Sequence, residues 1–316
     1  MAPDFLTLFH AVLSILIPVL IGYIAIKTHI IKEETSSALS SIVLKICNPF
    51  LLLTSVLGIE YSKENVRSGL LVLLLSFIVH VMGAAIAFLA TFRLKDQKAR
   101  RVCEIGMVFA NCGFFGFPLL KAVYGDIGLF WGGFYCIVFN ILLWSYGVFV
   151  LSRANPEFKI RLTKIFINGG TVPCVLGLLI YFLQIPIYPP VLTSLKTIGE
   201  VCTPLSMLFI GTMIARLPLK KLFTTPLTYY TSLVKLVVLP ICAGILLKLL
   251  GFSLELATFG ALMASLPTAA ATAMFAETYD IHPTFASQNV GVDTILTLLT
   301  VPLVMQLVNF ILPYIG

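Results

Sequence analysis

The chain alternates long apolar blocks with short polar interruptions. A bilayer crossing takes about 20 mostly apolar residues. Ten blocks meet that length: 5–26, 37–58, 68–92, 103–124, 127–152, 165–184, 191–215, 226–250, 256–277 and 287–312. The pattern predicts an all-α integral membrane protein with ten transmembrane helices. No soluble domain, long linker or low-complexity tract interrupts it. The first block has no basic region ahead of it and runs on to Lys27, which predicts a retained helix rather than a cleaved signal peptide.

The first five blocks resemble the second five at an offset of 155 positions. Pro18, Gly22, Cys47, Pro49 and Tyr124 recur as Pro173, Gly177, Cys202, Pro204 and Tyr279, and Lys45 is matched by Glu200. Most of these residues disrupt helices, and they sit at matching places in matching segments. Five spans per copy is an odd number, so the second copy enters the membrane from the opposite side. The expectation is two inverted five-helix repeats, 1–152 and 153–316, the plan of many secondary transporters.

Composition fits a chain solvated by lipid. It is 59% hydrophobic and 11% charged, against about 25% charged in soluble domains. The net charge of +7 is not gathered on one basic face. The odd-numbered loops hold fourteen Lys and Arg, among them Arg93, Lys95, Lys98, Arg100 and Arg101, while the other side holds Lys63, Arg67, Lys121 and Lys248. The positive-inside rule then puts the odd loops in the cytoplasm and both termini outside, in a plasma membrane or bacterial inner membrane. The seven cysteines all lie in or at apolar segments with no Cys-x-x-Cys pair, and read as small hydrophobes. No disulfide framework or zinc site is expected.

Two spans carry breaks. The fourth reads Asn111-Cys112-Gly113-Phe114-Phe115-Gly116-Phe117-Pro118, a poor continuous helix. At 1.5 Å per residue Asn111 lies roughly 12 Å and Pro118 roughly 22 Å from the span's start, so the expected break straddles the midplane. In the ninth, Ser265-Leu266-Pro267-Thr268 sits at similar depth. Unpaired backbone groups in hydrocarbon cost several kcal/mol each, so such breaks are tolerable where they face each other or a wet cavity. Half-helices starting there aim N–H groups and positive dipole ends inward, which suits an anion such as a carboxylate. The candidate substrate-binding residues are Asn111, Cys112, Gly113, Gly116 and Pro118, then Ser265, Pro267 and Thr268, with Asn140 of the fifth span as a further cavity or helix–helix group.

Ionisable residues at membrane depth are usually functional. Lys45 and Glu200 each precede a proline by four residues and are matched across the repeat. Lys45 is a candidate source of positive potential and Glu200 a candidate proton carrier; a structural Lys–Glu pair is the alternative. Lys235 and Asp293 are further coupling or electrostatic candidates. Glu104, beside Arg100 and Arg101, reads as solvated, and the lone His10 and His80 read as core packing.

The broken segments resemble the auxin efflux carrier family, the plant PIN carriers and bacterial carboxylate permeases. Asn111-Cys112-Gly113 fits the bacterial Asn-x-Gly pattern, and Gly116-Phe117-Pro118-Leu119-Leu120 with Tyr124-Gly125 resembles the plant motif. Leu266-Pro267 followed by Phe275-Ala276, Tyr279 and Ile281-His282-Pro283 is the more specific likeness. Thr272 stands where plant carriers have a second proline and Glu277 where they have Lys, and residues 153–164 replace their long central loop. The resemblance implies crossed, broken helices 4 and 9 at the substrate site, a scaffold of spans 1, 2, 6 and 7 beside a transport part of spans 3–5 and 8–10, elevator-type alternating access, and a homodimer. The cargo it implies is a small organic anion, a carboxylate or auxin-like acid.

No cofactor and no metal site is expected. A proton-coupled or potential-driven carrier is favoured over a Na⁺-coupled one, because the ninth span offers Ser265 and Thr268 but no acid beside its break. A sodium-coupled organic anion symporter of the bile-acid type is the alternative. Remoter readings are a membrane sensor and an intramembrane aspartyl protease. For the protease, Tyr279-Asp280 and Gly291-Val292-Asp293 come near the required motifs, but Val290 stands where the second needs glycine.

Overall fold

The computed structural model describes residues 4–32, 34–154, 163, 167–216 and 225–315, and among these the protein is all-helical. The order is α1 Phe5–Lys27; α2 Thr35–Ile42 and α3 Asn48–Ser55, joined by a π-turn at Val43–Cys47; α4 Lys63–Thr91; and α5 Gln97–Val108. A π-turn at Cys112–Gly116 leads into α6 Phe117–Leu142, and a second at Leu143–Gly147 into α7 Val148–Ser152. Then come α8 Thr171–Phe182, α9 Pro189–Glu200, α10 Cys202–Arg216, α11 Pro226–Leu233 and α12 Leu239–Leu249, the last two joined through a π-turn at Val234–Val238. The chain ends with α13 Leu254–Ser265, α14 Ala270–Thr278 and α15 Pro283–Ile311. Lys159, Arg161, Lys164, Lys220 and Lys221, counted above in the expected odd loops, lie outside the described residues.

Local chemistry sets the ends. Asp4, Ser62, Asp96 and Ser253 accept hydrogen bonds from backbone N–H groups of the first turns they cap. Three of the π-turns end two residues before a proline: Cys47 before Pro49, Gly116 before Pro118, Val238 before Pro240. A proline removes one helical N–H and crowds the preceding turn, and the wider π-turn absorbs both without breaking the helix. This corrects the expected position of the fourth-span break. Pro118 sits inside continuous helix, with Gly116 N–H donating to Asn111 O at 2.9 Å. The non-helical residues are Phe109–Asn111, ahead of it.

Seven helices among the described residues are long and apolar enough to cross a membrane, and Thr171–Phe182 and Leu254–Ser265 are shorter apolar helices. One of the seven, Cys112–Ser152, counts 41 residues. It is not one rod. Gly125 has φ 65° and ψ −142°, a conformation a side chain would resist. Cys112 and Cys136 would stand about 36 Å apart along a straight helix, yet their sulfurs are 3.5 Å apart. The chain folds back at Gly125 into antiparallel legs, where the sequence places the gap between its fourth and fifth spans.

The packing is inverted relative to a soluble protein. On α4, Leu70, Leu74, Phe77 and Val81 face outward, while Ser76 and His80 are buried on the opposite face. Apolar residues at helical spacing on the outside imply an apolar solvent. Helices α1 and α10 cross closely at two glycines. A Cβ on Gly22 would collide with the Leu208 carbonyl, and one on Gly211 with the Val19 carbonyl.

Candidate functional site

The two breaks meet. Asn111 N–H donates to Pro267 O at 2.8 Å and Ala269 N–H to Phe109 O at 2.9 Å, an antiparallel bridge pairing Ala110 with Thr268. Leu266 is extended (ψ 153°), as the residue before a proline prefers. Each break thus supplies the donors and acceptors that the other lacks.

From this bridge two half-helices start. One begins at Cys112, capped by Asn111 Oδ1 accepting from Phe114 N–H at 3.2 Å. The other is α14, starting at Ala270 after the extended Ala269. Both starts line a cavity of about 560 Å³. Its walls include Lys45, Asn48, Asn111, Cys112, Gly113, Cys136, Asn140, Trp144 and Tyr279. Asn111 is 3% exposed, and its Nδ2 is buried without a hydrogen-bond partner. A buried, unpaired donor costs about 1–3 kcal/mol, which an acceptor on a ligand would recover. Asn140 Nδ2 donates to Cys136 O, one turn back on its own helix.

Five of the candidate residues therefore share one cavity: Lys45, Asn111, Cys112, Gly113 and Asn140. Others stand behind its wall. Ser265 is fully buried and donates to Leu262 O, and Gly116 packs toward Leu266. Pro267 gives its carbonyl to the bridge. Thr268 Oγ1 lies 2.6 Å from Asp293 Oδ2 and 3.0 Å from Gly106 O, and its single proton goes to one acceptor at a time, the shorter contact being to Asp293. Pro118 and Glu200 line a second cavity of about 300 Å³, with Thr54, Lys121, Asp126, Lys196 and Thr203. The first cavity meets the Lys45 end of the α2–α3 segment and the Asn140 end of α6; the second meets α3 near Gly58 and α6 near Asp126, toward the other ends of the same legs.

Asp293 and Lys235 are each 2% exposed. Asp293 accepts from Ser232 Oγ at 2.5 Å and from Thr268 N and Oγ1, and Lys235, one turn after Ser232, lies within electrostatic reach of it. His80, also within electrostatic reach of Lys235, is held by Ser76 O at 2.7 Å and packs on Phe109, Tyr135 and Phe139. His80 is core, as expected; His10 is exposed. Glu104 is not solvated. It is 2% exposed and takes Arg100 Nε at 2.9 Å, Arg101 Nη1 at 2.5 Å and Thr91 Oγ1 at 3.1 Å, because α4 packs over that turn. Asp280 lies in the α14–α15 turn at φ 51°, whereas Asp293 is buried within the α15 helix. Sequence reasoning missed Cys136, Trp144, Ser232 and Tyr279 as wall or partner residues. Among the described residues no three His, Cys, Asp or Glu side chains group as a metal site.

Outside both cavity linings, Asp96 caps α5 through Ala99 N–H at 3.0 Å and pairs with His282 Nε2 at 3.1 Å. The Ala99 N–H, then His282, hold its carboxyl below the usual range.

A family model described as membrane transport protein matches residues 7–305. The chain belongs to this family, that of the PIN-like auxin efflux carriers. It is 25% identical over 309 residues to an uncharacterized transporter of Methanothermobacter thermautotrophicus, covering 93% of this chain and 96% of that protein. An uncharacterized transporter of Methanocaldococcus jannaschii is 24% identical over 306 residues, covering 92% and 96%. The protein is thus a multi-pass membrane transporter, and not an enzyme.

Proposed function

We propose that this transporter carries a small organic anion, a carboxylate or auxin-like acid, by elevator-type alternating access. The observation that carries the reading is the convergence of two half-helix N-termini, the unpaired Asn111 Nδ2 and Lys45 on one cavity. Each favours negative charge, and none is a fixed acid that would repel it. The cavity's volume suits a small metabolite.

The supporting architecture is ten spans in two inverted repeats, with both termini outside and the larger cavity cytoplasmic. The fold-back at Gly125, the antiparallel crossing and the separate cavities of Lys45 and Glu200 all favour it. Asp293 and Lys235, behind the crossing, are the proposed coupling groups, with a proton as coupling ion and a homodimer as the working assembly. Lys235, within electrostatic reach of Asp293, can serve as a built-in counter-ion for the carboxylate, which favours a proton over Na⁺.

Thermal-shift screening of the purified protein against a carboxylate panel, followed by flux in proteoliposomes under imposed pH or Na⁺ gradients, tests the reading. Saturable flux of a stabilising carboxylate driven by a pH gradient is expected. No stabilisation by any carboxylate would overturn the cargo class, and stimulation by Na⁺ alone would favour the bile-acid-type symporter.

A further inference from the structure

Cys112 and Cys136 lie 24 positions apart, and their sulfurs are 3.5 Å apart. Both line the larger cavity, and both are 1% exposed. Cys112 opens the π-turn that follows the first break, where the Asn111 cap fixes the backbone. Cys136 is on the returning leg of the α6 hairpin, and Asn140 is bonded to its carbonyl. The approach of the two thiols is therefore set by packed helices.

We propose that Cys112 and Cys136 form a dithiol site for trivalent organoarsenicals and similar soft, thiophilic ligands in the cavity wall. The geometry selects this class over two others. A disulfide needs sulfurs about 2.05 Å apart, so two packed helices would have to close by about 1.5 Å. Two sulfurs on one tetrahedral zinc stand about 3.8 Å apart, given bonds of about 2.3 Å, but zinc takes four ligands. No third His, Cys, Asp or Glu among the described residues completes such a set. An organoarsenic(III) centre keeps one carbon and needs only two thiols. The reaction balances without an oxidant. Two S–H bonds and two bonds from arsenic to oxygen break, two arsenic–sulfur bonds form, the oxide leaves as water with both thiol protons, and arsenic stays trivalent. The site does not depend on which anion the protein carries.

Phenylarsine oxide added to the purified full chain in detergent, read by intact mass, tests this. One arsenic per folded chain is expected, stable to a monothiol wash and released by dithiothreitol. Cys112→Ser and Cys136→Ser each remove it, while Cys174→Ser and the pair Cys47→Ser and Cys202→Ser retain it. Cys112→Ala and Cys136→Ala give the same reading should a serine variant fail to fold. Absence of the adduct in the folded wild type would overturn the site, as would adducts undiminished by both substitutions.

Discussion

Lys45 and Glu200 stand 155 positions apart and line two separate cavities. Asn48 and Thr203, one turn further on, follow them into the same two cavities. No ion pair joins Lys45 to Glu200 among the described residues, so the structural-pair alternative loses its support. The two cavities carry different charge. Lys45 is the charged wall residue of the first, whereas in the second Lys121 and Lys196 are offset by Asp126 and Glu200. Lys45→Ala is expected to weaken binding of the best-stabilising carboxylate by about tenfold or more, the worth of one charge-assisted contact. Glu200→Gln is expected to leave that affinity unchanged and to alter the pH dependence of flux. Wild-type rates and pH profiles in both variants would remove the two residues from the mechanism.

Asn111 divides its amide between two roles: Oδ1 caps the half-helix, and Nδ2, buried without a partner beside the cavity, is the donor proposed for the cargo. Asn111→Ser keeps a good cap and removes the amide donor. Its unfolding temperature should stay near wild type while carboxylate affinity falls by about tenfold or more. Asn111→Ala should also lose stability, by about 0.5–2 kcal/mol. Equal carboxylate titrations of Asn111→Ser and wild type would refute the donor role.

The sequence makes some of this site legible and hides the rest for physical reasons. Proline and glycine mark where helices cannot run unperturbed, so both broken spans could be found. They do not say which residue yields. Pro118 is accommodated by a π-turn, and the break falls at Phe109–Asn111, where the other break supplies hydrogen bonds. Repeat spacing singled out Lys45 and Glu200 as matched positions, but not that they would line separate cavities. The contacts of Thr268 with Asp293 and of Cys112 with Cys136 depend on helix rotation and crossing, which a single sequence's hydropathy does not encode.

Thr268 ties one break to two other elements, Gly106 on α5 and Asp293 on α15. Thr268→Val keeps the shape and removes the hydroxyl, leaving Asp293 short of a donor in a buried setting. The expected cost is about 1–3 kcal/mol, read as a lowered unfolding temperature in detergent, with Thr268→Ser close to wild type. Asp293→Asn leaves Lys235 buried without its counter-charge and is expected to abolish the pH-gradient dependence of flux. Adding Lys235→Met should recover stability but not coupling. Full pH-driven flux in Asp293→Asn would exclude Asp293 as the coupling group.

Asp96 gives a pH prediction outside the membrane. Its carboxyl is held below the usual range by Ala99 N–H and then by His282, so its contribution to stability is present above about pH 4 and is lost as pH falls through the lowered value. The side chain is 57% exposed, so salt screens the His282 part, and an exposed pair contributes only about 0–1 kcal/mol. The capping bond dominates. Asp96→Ala should cost about 1 kcal/mol at neutral pH and flatten the acid limb of a plot of unfolding temperature against pH. His282→Gln should have a smaller effect that high salt abolishes. An acid limb unchanged by Asp96→Ala would mean that the start of α5 is held by its buried Arg101–Glu104 pair rather than by its cap.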